Sequence, residues 1–198
     1  MLVHRDGKGP TPVQAFIRSI VATGRLTATG RLRSPQTYLG SRLHFADGTT
    51  SFVFRETAVR ETDAADPAVL VVRFQLWALG RSPLLHAFFR RECILHTPLF
   101  AGFPGFRSKL WASDTATGVY RGLYQWDGAD QAADYAATLA RLLRPFSTRG
   151  SVSYHVIPGL LREDALRDPD RMTAAPAGEQ DAWWRLVAPV QRALVGSG

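Results

Sequence analysis

The sequence predicts an α+β fold, with one domain of 198 residues built on a single β-α-β-β-α-β unit. Runs of alternating apolar and polar residues, typical of strands, recur between Ala68 and Ile157. Two stretches among them carry apolar residues at helical spacing, so the order is strand, helix, strand, strand, helix, strand. In this split βαβ, or ferredoxin-like, arrangement both helices cover one face of a four-stranded antiparallel sheet.

Glycines, prolines and β-branched residues indicate the bounds of these elements. The four strands are predicted at Ala68–Trp77, Phe106–Ala112, Val119–Trp126 and Ser151–Ile157. The first helix begins at Ser82 and Pro83, since proline fits a first turn, and runs to about Leu95. The second helix is capped by Asp127 and ends before Pro145.

Extensions flank this unit within the one domain. The N-terminal extension is 1–62, the ferredoxin-like core is 63–160, and the C-terminal tail and helix are 161–198. Thr11 and Pro12 open an amphipathic helix whose apolar residues recur at helical spacing to Val21. Asp47-Gly48 predicts the turn of a β-hairpin between 38–46 and 49–59. A last helix is predicted from about Asp181, and it carries the pair Trp183 and Trp184.

Composition limits the setting and the partners. The longest apolar runs are far shorter than the roughly 18 residues of a membrane span, and no secretory signal is recognisable, so we expect a cytoplasmic protein without a membrane partner. The single cysteine, Cys93, excludes an internal disulfide. Of the net charge of +7, most lies in residues 1–60, which hold nine basic residues against three acidic ones. We interpret this basic arm as a solvated segment and do not predict nucleic-acid binding.

Motifs of several enzyme classes are missing from the sequence. It has no glycine-rich phosphate loop before a helix, no Gly-x-Ser-x-Gly elbow, no zinc-spaced Cys/His set and no His-Glu-x-x-His helix. The five histidines are scattered along the chain. We therefore predict no cofactor and no metal site, and haem binding is only a weaker alternative.

Two segments, Phe103–Trp111 and Gly122–Trp126, combine a Pro-Gly turn, a basic aromatic strand and a glycine-containing strand that leads into an Ala-rich helix. In this pattern the chain resembles the dimeric α+β barrel superfamily of antibiotic-biosynthesis monooxygenase-like and YdhR-like proteins, over roughly residues 68–158. The resemblance implies a cofactor-independent monooxygenase or a cyclase. It also implies a homodimer in which two sheets pack together.

Strand parity predicts a pocket between the sheet and the helices, because side chains alternate between the two faces of a strand. A gap at Gly122 is surrounded by aromatic residues of the third and fourth strands, namely Tyr124, Trp126 and Tyr154. A phenylalanine-rich lid follows the first helix and contains Phe100, Phe103 and Phe106. The pocket could hold a flat organic ligand. The alternative is an ordinary aromatic core.

The opposite face of the sheet is predicted to be polar and aromatic. Its residues are Arg73, Gln75, Arg107, Lys109, Trp111, Arg121 and Gln125. Such a face is too polar for a dry core and too aromatic for open solvent, so we expect a homodimer interface. The alternative is a sheet face covered by the N-terminal hairpin or by the Trp183-Trp184 helix.

These patterns give a functional hypothesis, a small-molecule enzyme of aromatic or polyketide metabolism. The candidate catalytic residues, which would move a proton or stabilise an oxyanion, are Tyr124, Tyr154, His86, Arg90 and Arg121. The candidate substrate-binding residues are Trp126, Phe74, Phe100, Phe103 and His96. The alternative is a non-catalytic protein that binds a hydrophobic ligand or a partner. An enzyme requires charged and phenolic groups to converge in one site, whereas a binding protein needs only apolar walls.

Overall fold

The computed structural model describes residues 12–59, 64–77, 100–173 and 182–191, and the side chains of its first helix from Arg18 onward. The helices are α1 (Pro12–Ala28), α2 (Ala129–Leu143) and α3 (Arg162–Arg167). The strands are β1 (Leu32–Arg33), β2 (Arg42–His44), β3 (Thr50–Val59), β4 (Pro67–Gln75), β5 (Phe106–Ser113), β6 (Val119–Asp127) and β7 (Ser153–Pro158). The helix predicted from Ser82 to about Leu95 lies outside the described residues.

In the described parts of the chain, the strands form one antiparallel sheet in the order β1-β3-β5-β6-β4-β7, and β2 pairs with β3 as well. β4 and β5 both pair antiparallel with β6, which lies between them, so they run parallel to each other. For the same reason β6 and β7 run parallel on either side of β4. Each parallel pair is thus split by a third strand, which confirms the predicted α+β, split βαβ fold.

The N-terminal hairpin forms as predicted and widens this sheet. Gly48 adopts a positive φ of 78° in the turn, a conformation that glycine accepts without strain. Asp47 accepts a hydrogen bond from the backbone N–H of Thr49 at 3.1 Å, which fixes the turn. β3 then joins the hairpin to the edge strand β5 of the central unit.

Each face of the sheet has its own core. On the helix side, the cluster includes Leu70, Val72, Phe100, Phe106, Trp111, Tyr124, Trp126, Tyr135, Ala136 and Leu139. On the other side, it includes Leu43, Phe45, Val53, Val69, Val71, Leu110, Leu123, Ile157, Leu166, Met172, Trp184 and Leu186. The hairpin, α3 and residues 182–191 therefore cover the face that we expected to pair two copies of the chain. Homodimerisation stays a prediction, and this face is not available for it.

Two helix predictions need correction. Residues 182–191 form turns and extended chain where a helix was predicted, because their backbone bonds to the hairpin instead: Ala46 donates to the carbonyl of Arg185 and Val187 donates to that of His44, both at 2.9 Å. α2 begins one residue later than predicted, with Gly128 at its N-cap.

Asp127 does not cap α2 because its carboxylate has other donors. It accepts from the backbone N–H of Asp66 at 2.8 Å and from Arg107 at 2.5 Å. These hydrogen bonds, the one from Asp66 first, lower the pKa of Asp127 below its ordinary value. In the part of the chain that the structure describes, no helix is long and apolar enough to span a membrane.

Candidate functional site

The helix side of the sheet carries a continuous cluster of aromatic rings. β6 places Tyr124 and Trp126 against Tyr135 of α2, whose ring centroid lies 5.6 Å and 4.9 Å from theirs. Phe100, in the connection before β5, packs edge-on against Trp111 at 5.3 Å. Tilted and edge-on pairs at these distances attract each other through their quadrupoles. Three predicted site residues, Tyr124, Trp126 and Phe100, are thus brought together.

Two phenols meet inside this aromatic cluster. The hydroxyl oxygens of Tyr124 and Tyr135 are 3.3 Å apart, and either can donate to the other. Both side chains are almost fully buried. Burial raises the pKa of Tyr135 well above its ordinary value, and the neighbouring Tyr124 raises it further. At neutral pH Tyr135 is therefore an uncharged hydrogen-bond donor.

A buried lysine joins the phenols. Residues paired across a sheet share a face, and Lys109 pairs with Tyr124 while Trp111 pairs with Gly122. Both therefore lie on the helix side, which corrects their predicted place on the opposite face. Lys109 is only 5% exposed. Its ammonium nitrogen lies 3.0 Å from the ring centroid of Trp111, 4.6 Å from that of Phe100 and 4.7 Å from that of Tyr124.

The two indoles of the cluster differ in their hydrogen bonding. Trp111 donates its Nε1–H to Thr57 Oγ1 at 3.2 Å. Trp126 Nε1 is buried and has no acceptor among the described residues. A buried donor without an acceptor costs roughly 1–3 kcal/mol. Such a group is a natural partner for an oxygen atom of a ligand.

The gap predicted at Gly122 is filled by the chain itself. A Cβ added at Gly122 would lie 2.5 Å from Cε2 and 3.0 Å from the hydroxyl oxygen of Tyr124. The ring of Tyr124 therefore lies over Gly122, and the missing side chain makes room for it. Gly122 positions the phenol, where we had predicted that it leaves room for a ligand.

An open groove reaches the edge of the aromatic cluster. It has a volume of about 540 Å³ between α1 and α2, and its walls include Ala22, Phe103, Asp134, Thr138 and Arg141. The ring of Phe103 meets that of Tyr135 edge-on at 5.3 Å. Phe103 thus lies between the groove and the phenol pair, and its role as part of a lid stays a prediction.

The other predicted residues lie at the border of the cluster or away from it. Phe74 packs partly buried against the helix-side core and stacks on Tyr120 at 5.6 Å with an interplanar angle of 16°. Tyr154, on the edge strand β7, is 43% exposed and lies outside the aromatic cluster. Arg121 lies on the opposite face of the sheet from Tyr124. The remaining candidates, His86, Arg90 and His96, lie outside the described residues.

Arg121 is part of a buried ion pair beneath the hairpin. It contacts Asp47 at 2.5 Å and donates to Ser51 Oγ at 3.1 Å, and it lies 4.2 Å above the ring of Phe45. Burial lowers the pKa of Arg121 to about 10, even though Asp47 acts to raise it. These contacts hold the hairpin against the sheet, so the structure gives Arg121 a structural role rather than a place beside Tyr124.

A second buried ion pair on the same face was not predicted. Arg162, at the start of α3, contacts Glu56 of β3 at 3.1 Å and Glu163 at 2.7 Å. Its backbone N–H donates to Gln125 Oε1 at 2.5 Å, and Tyr38 donates its hydroxyl hydrogen to Glu163. Side chains from three distant segments are joined in this way.

The sequence carried a signal for one of the missed site residues. Tyr135 has the same helical spacing as Ala132, Ala136 and Leu139, so it belongs to the buried stripe of α2. Lys109 gave no comparable signal, since a lysine in a strand is usually exposed. Among the described residues, no group of three or more His, Cys, Asp or Glu could hold a metal ion.

The described histidines lie away from the aromatic cluster. His155 stacks flat on Trp184, with 3.9 Å between ring centroids and 9° between planes, and burial lowers its pKa. His44 hydrogen-bonds to Thr50 Oγ1 at 3.0 Å at the sheet edge. Neither is placed to bind a group held by Tyr124 and Lys109.

Comparisons with known proteins give similarity in fold only. No family model and no curated protein matches the chain. Similar solved structures include a ferredoxin-fold protein of Listeria monocytogenes related to antibiotic biosynthesis monooxygenases, at 14% identity over 55% of this chain and 63% of that one, with a TM-score of 0.38. A heme-degrading enzyme of the same species shares 13% identity over 55% and 70% of the two chains, with a TM-score of 0.39.

A monooxygenase-like protein of Listeria innocua is also similar, at 15% identity over 55% of this chain and 63% of that one, with a TM-score of 0.38. The chain thus spans less than two thirds of the length of two of these three proteins. Each of these three similarities covers 55% of this chain.

Proposed function

We propose that this protein is a small-molecule enzyme that acts, without a bound cofactor, on an aromatic or polyketide-like compound with an acidic phenol or enol. The observation that carries the proposal is the convergence of Lys109 with the hydrogen-bonded pair Tyr124 and Tyr135 inside one buried aromatic cluster. A protein that merely binds a hydrophobic ligand needs apolar walls and gains nothing from a buried ammonium among phenols.

The proposed chemistry begins with the loss of a proton from the substrate hydroxyl. The substrate loses this proton to water in the open groove, and the ammonium of Lys109 then pairs with the substrate oxyanion. Tyr124 donates a hydrogen bond to the same oxygen, and the surrounding rings exclude water, so both interactions are stronger than in solvent. The resulting electron-rich anion is the species that reacts with O₂ in a monooxygenation or with an electrophilic carbon in a cyclisation.

The groove between α1 and α2 supports an entry route for the substrate. Its volume of about 540 Å³ falls within the usual range of ligand sites. Rotation of Phe103 away from Tyr135 would join the groove to the phenol pair. A substrate oxygen that arrives there could also accept the unpaired N–H of Trp126.

The test is turnover of a panel of hydroxylated polycyclic aromatic compounds, followed by oxygen uptake and by product absorbance. The key variant is Lys109→Met, which keeps the apolar stem and removes the charge. We expect it to lower kcat by roughly 10²–10³, the usual effect of removing one group that stabilises an oxyanion. The matched control is Arg149→Met, which removes an exposed charge far from the cluster.

Unchanged turnover in Lys109→Met would contradict the proposed role of the lysine. Binding of panel compounds without turnover, seen as quenching of tryptophan fluorescence, would favour the alternative of a ligand-binding protein. That alternative has one observation of its own, since the rings of the cluster are almost fully buried, as in an ordinary core. Haem binding is checked by absorbance, and a Soret band after haem addition would favour it over both.

A further inference from the structure

Helix α1 presents two large apolar residues, Ile20 and Val21, to solvent. Ile20 is 45% exposed and Val21 is 53% exposed, whereas Ser19 and Thr23 are buried on the inner face. The sequence predicts an amphipathic helix, and in such helices the apolar stripe usually faces the core. Among the described side chains of α1, the small polar Ser19 and Thr23 lie inside, whereas Ile20 and Val21 lie outside.

A close backbone contact explains this orientation. A Cβ added at Gly102 would lie 2.1 Å from the backbone oxygen of Ser19, so α1 and the connection before β5 approach within a distance that only glycine permits. Large side chains do not fit between two backbones that lie so close. Ile20 and Val21 therefore cannot turn inward without separating α1 from the protein.

The surroundings of these exposed residues are strongly basic. The sequence holds no acidic residue between Asp6 and Asp47, and the basic residues of this stretch are Lys8, Arg18, Arg25, Arg31, Arg33 and Arg42. Arg18 and Arg25 are exposed on α1 itself. With Arg31 they also line a groove of about 620 Å³ beside α1, and none of the described residues in its walls is acidic.

We propose that α1 docks the protein on the surface of a membrane that contains anionic phospholipids, which revises our expectation of no membrane partner, because that expectation considered only spanning segments and secretory signals. The helix lies in the plane of the interface, Ile20 and Val21 insert among the acyl chains, and Arg18 and Arg25 bind lipid phosphates. The charge distribution favours lipid over a second copy of this chain, because two surfaces with an excess of arginine repel each other. It favours lipid over nucleic acid because phosphate backbones offer no apolar partner for Ile20 and Val21. This docking is independent of the proposed enzymatic function.

The test is flotation of the full-length protein with vesicles of phosphatidylcholine and phosphatidylglycerol in equal parts, beside vesicles of phosphatidylcholine alone. We expect binding to the anionic vesicles only, and weaker binding at high salt. Arg18→Gln/Arg25→Gln should lower the partition coefficient roughly thirty-fold, which corresponds to about 1 kcal/mol for each arginine. Its matched control, Arg144→Gln/Arg149→Gln, removes two exposed arginines outside α1 and should bind as the wild type does.

The apolar contribution is tested in the same assay with Ile20→Gln/Val21→Gln. We expect at least a tenfold loss of binding, whereas Leu142→Gln/Phe146→Gln, which changes two exposed apolar residues elsewhere, should have no effect. Equal binding to both kinds of vesicle, or none to either, would overturn the proposal. So would a concentration-dependent dimer in the absence of lipid that Ile20→Gln/Val21→Gln dissociates, since a second copy would then cover this surface.

Discussion

The two faces of the sheet both bury cations, but they hold them in different ways. On the helix side, Lys109 lies over the rings of Phe100, Trp111 and Tyr124. On the other side, Arg121 and Arg162 contact the carboxylates of Asp47 and Glu56. A carboxylate close to a cation fixes its charge and geometry, whereas aromatic rings attract a cation without accepting its proton.

This difference separates a structural face from a candidate reactive one. The arginine pairs join the hairpin, α3 and the sheet, and they lie on the opposite face of the sheet from the aromatic cluster. The lysine lies beside Tyr124, which is paired with Tyr135, and Tyr135 meets Phe103 in the wall of a groove. We expect changes on the arginine face to alter stability and changes on the lysine face to alter turnover.

The largest expected effect on stability comes from Arg162→Met. Glu56 has a side chain only 3% exposed, so the variant leaves a carboxylate buried without its cation. We expect the free energy of unfolding to fall by about 3–5 kcal/mol, measured by denaturant titration. Arg121→Met is the matched comparison and should cost less, because Asp47 is 19% exposed and keeps Arg73 at 3.4 Å. If both variants lose the same free energy of unfolding, the loss does not depend on how deeply the remaining carboxylate is buried.

The largest expected effect on turnover after Lys109→Met comes from Tyr124→Phe, which removes only a hydroxyl group. We expect kcat to fall by roughly 10², since one oxyanion donor is lost. The control is Tyr154→Phe, because Tyr154 was also a catalytic candidate in the sequence but is 43% exposed outside the cluster. Its kcat should be unchanged. A fall of kcat in both variants would show that Tyr154 also takes part in the reaction.

The sequence predicts the strands of this protein better than its faces. Alternation and the Asp-Gly turn located the hairpin and the four central strands to within a few residues, because both are local signals. The face of β5 had no such signal: Ser108, Leu110 and Ala112 point one way and Lys109 and Trp111 the other, and neither set is wholly apolar. Only the register against β6 decides it.

Long-range contacts limited the other predictions. Arg162 and Glu56 are 106 positions apart, and nothing near either residue indicates the pairing. For α1, helical spacing shows which residues share a side of the helix but not which side meets the protein. The approach of Ser19 to Gly102 determines that orientation, and it depends on the completed fold.

A smaller effect, on both stability and turnover, is expected for Gly122→Ala. The added methyl group would lie 2.5 Å from the ring of Tyr124, so this ring must move. Overpacking of this kind usually costs about 1–3 kcal/mol. We expect turnover to fall with it, because the phenol leaves its place beside Tyr135. A variant that unfolds at a lower denaturant concentration but keeps wild-type kcat would show that turnover does not depend on the position of Tyr124.

The smallest effect is a pH dependence on the arginine face. Burial lowers the pKa of His155 in the folded protein below its ordinary value of 6.5, which we assign to the unfolded chain. At a pH between the pKa of the folded state and that of the unfolded state, the unfolded chain therefore binds more protons than the folded one. Stability should therefore rise with pH through this range and reach its full value above pH 6.5.

His155→Phe keeps a ring stacked on Trp184 and removes the titration. Urea titrations from about pH 5 to pH 8 should show a rise in stability with pH in the wild type that is absent in the variant. Asp127 does not interfere, because a carboxyl whose pKa is lowered from 3.8 contributes fully throughout this range. If His155→Phe keeps the pH dependence of the wild type, another group causes it, and the contact of His155 with Trp184 contributes only packing.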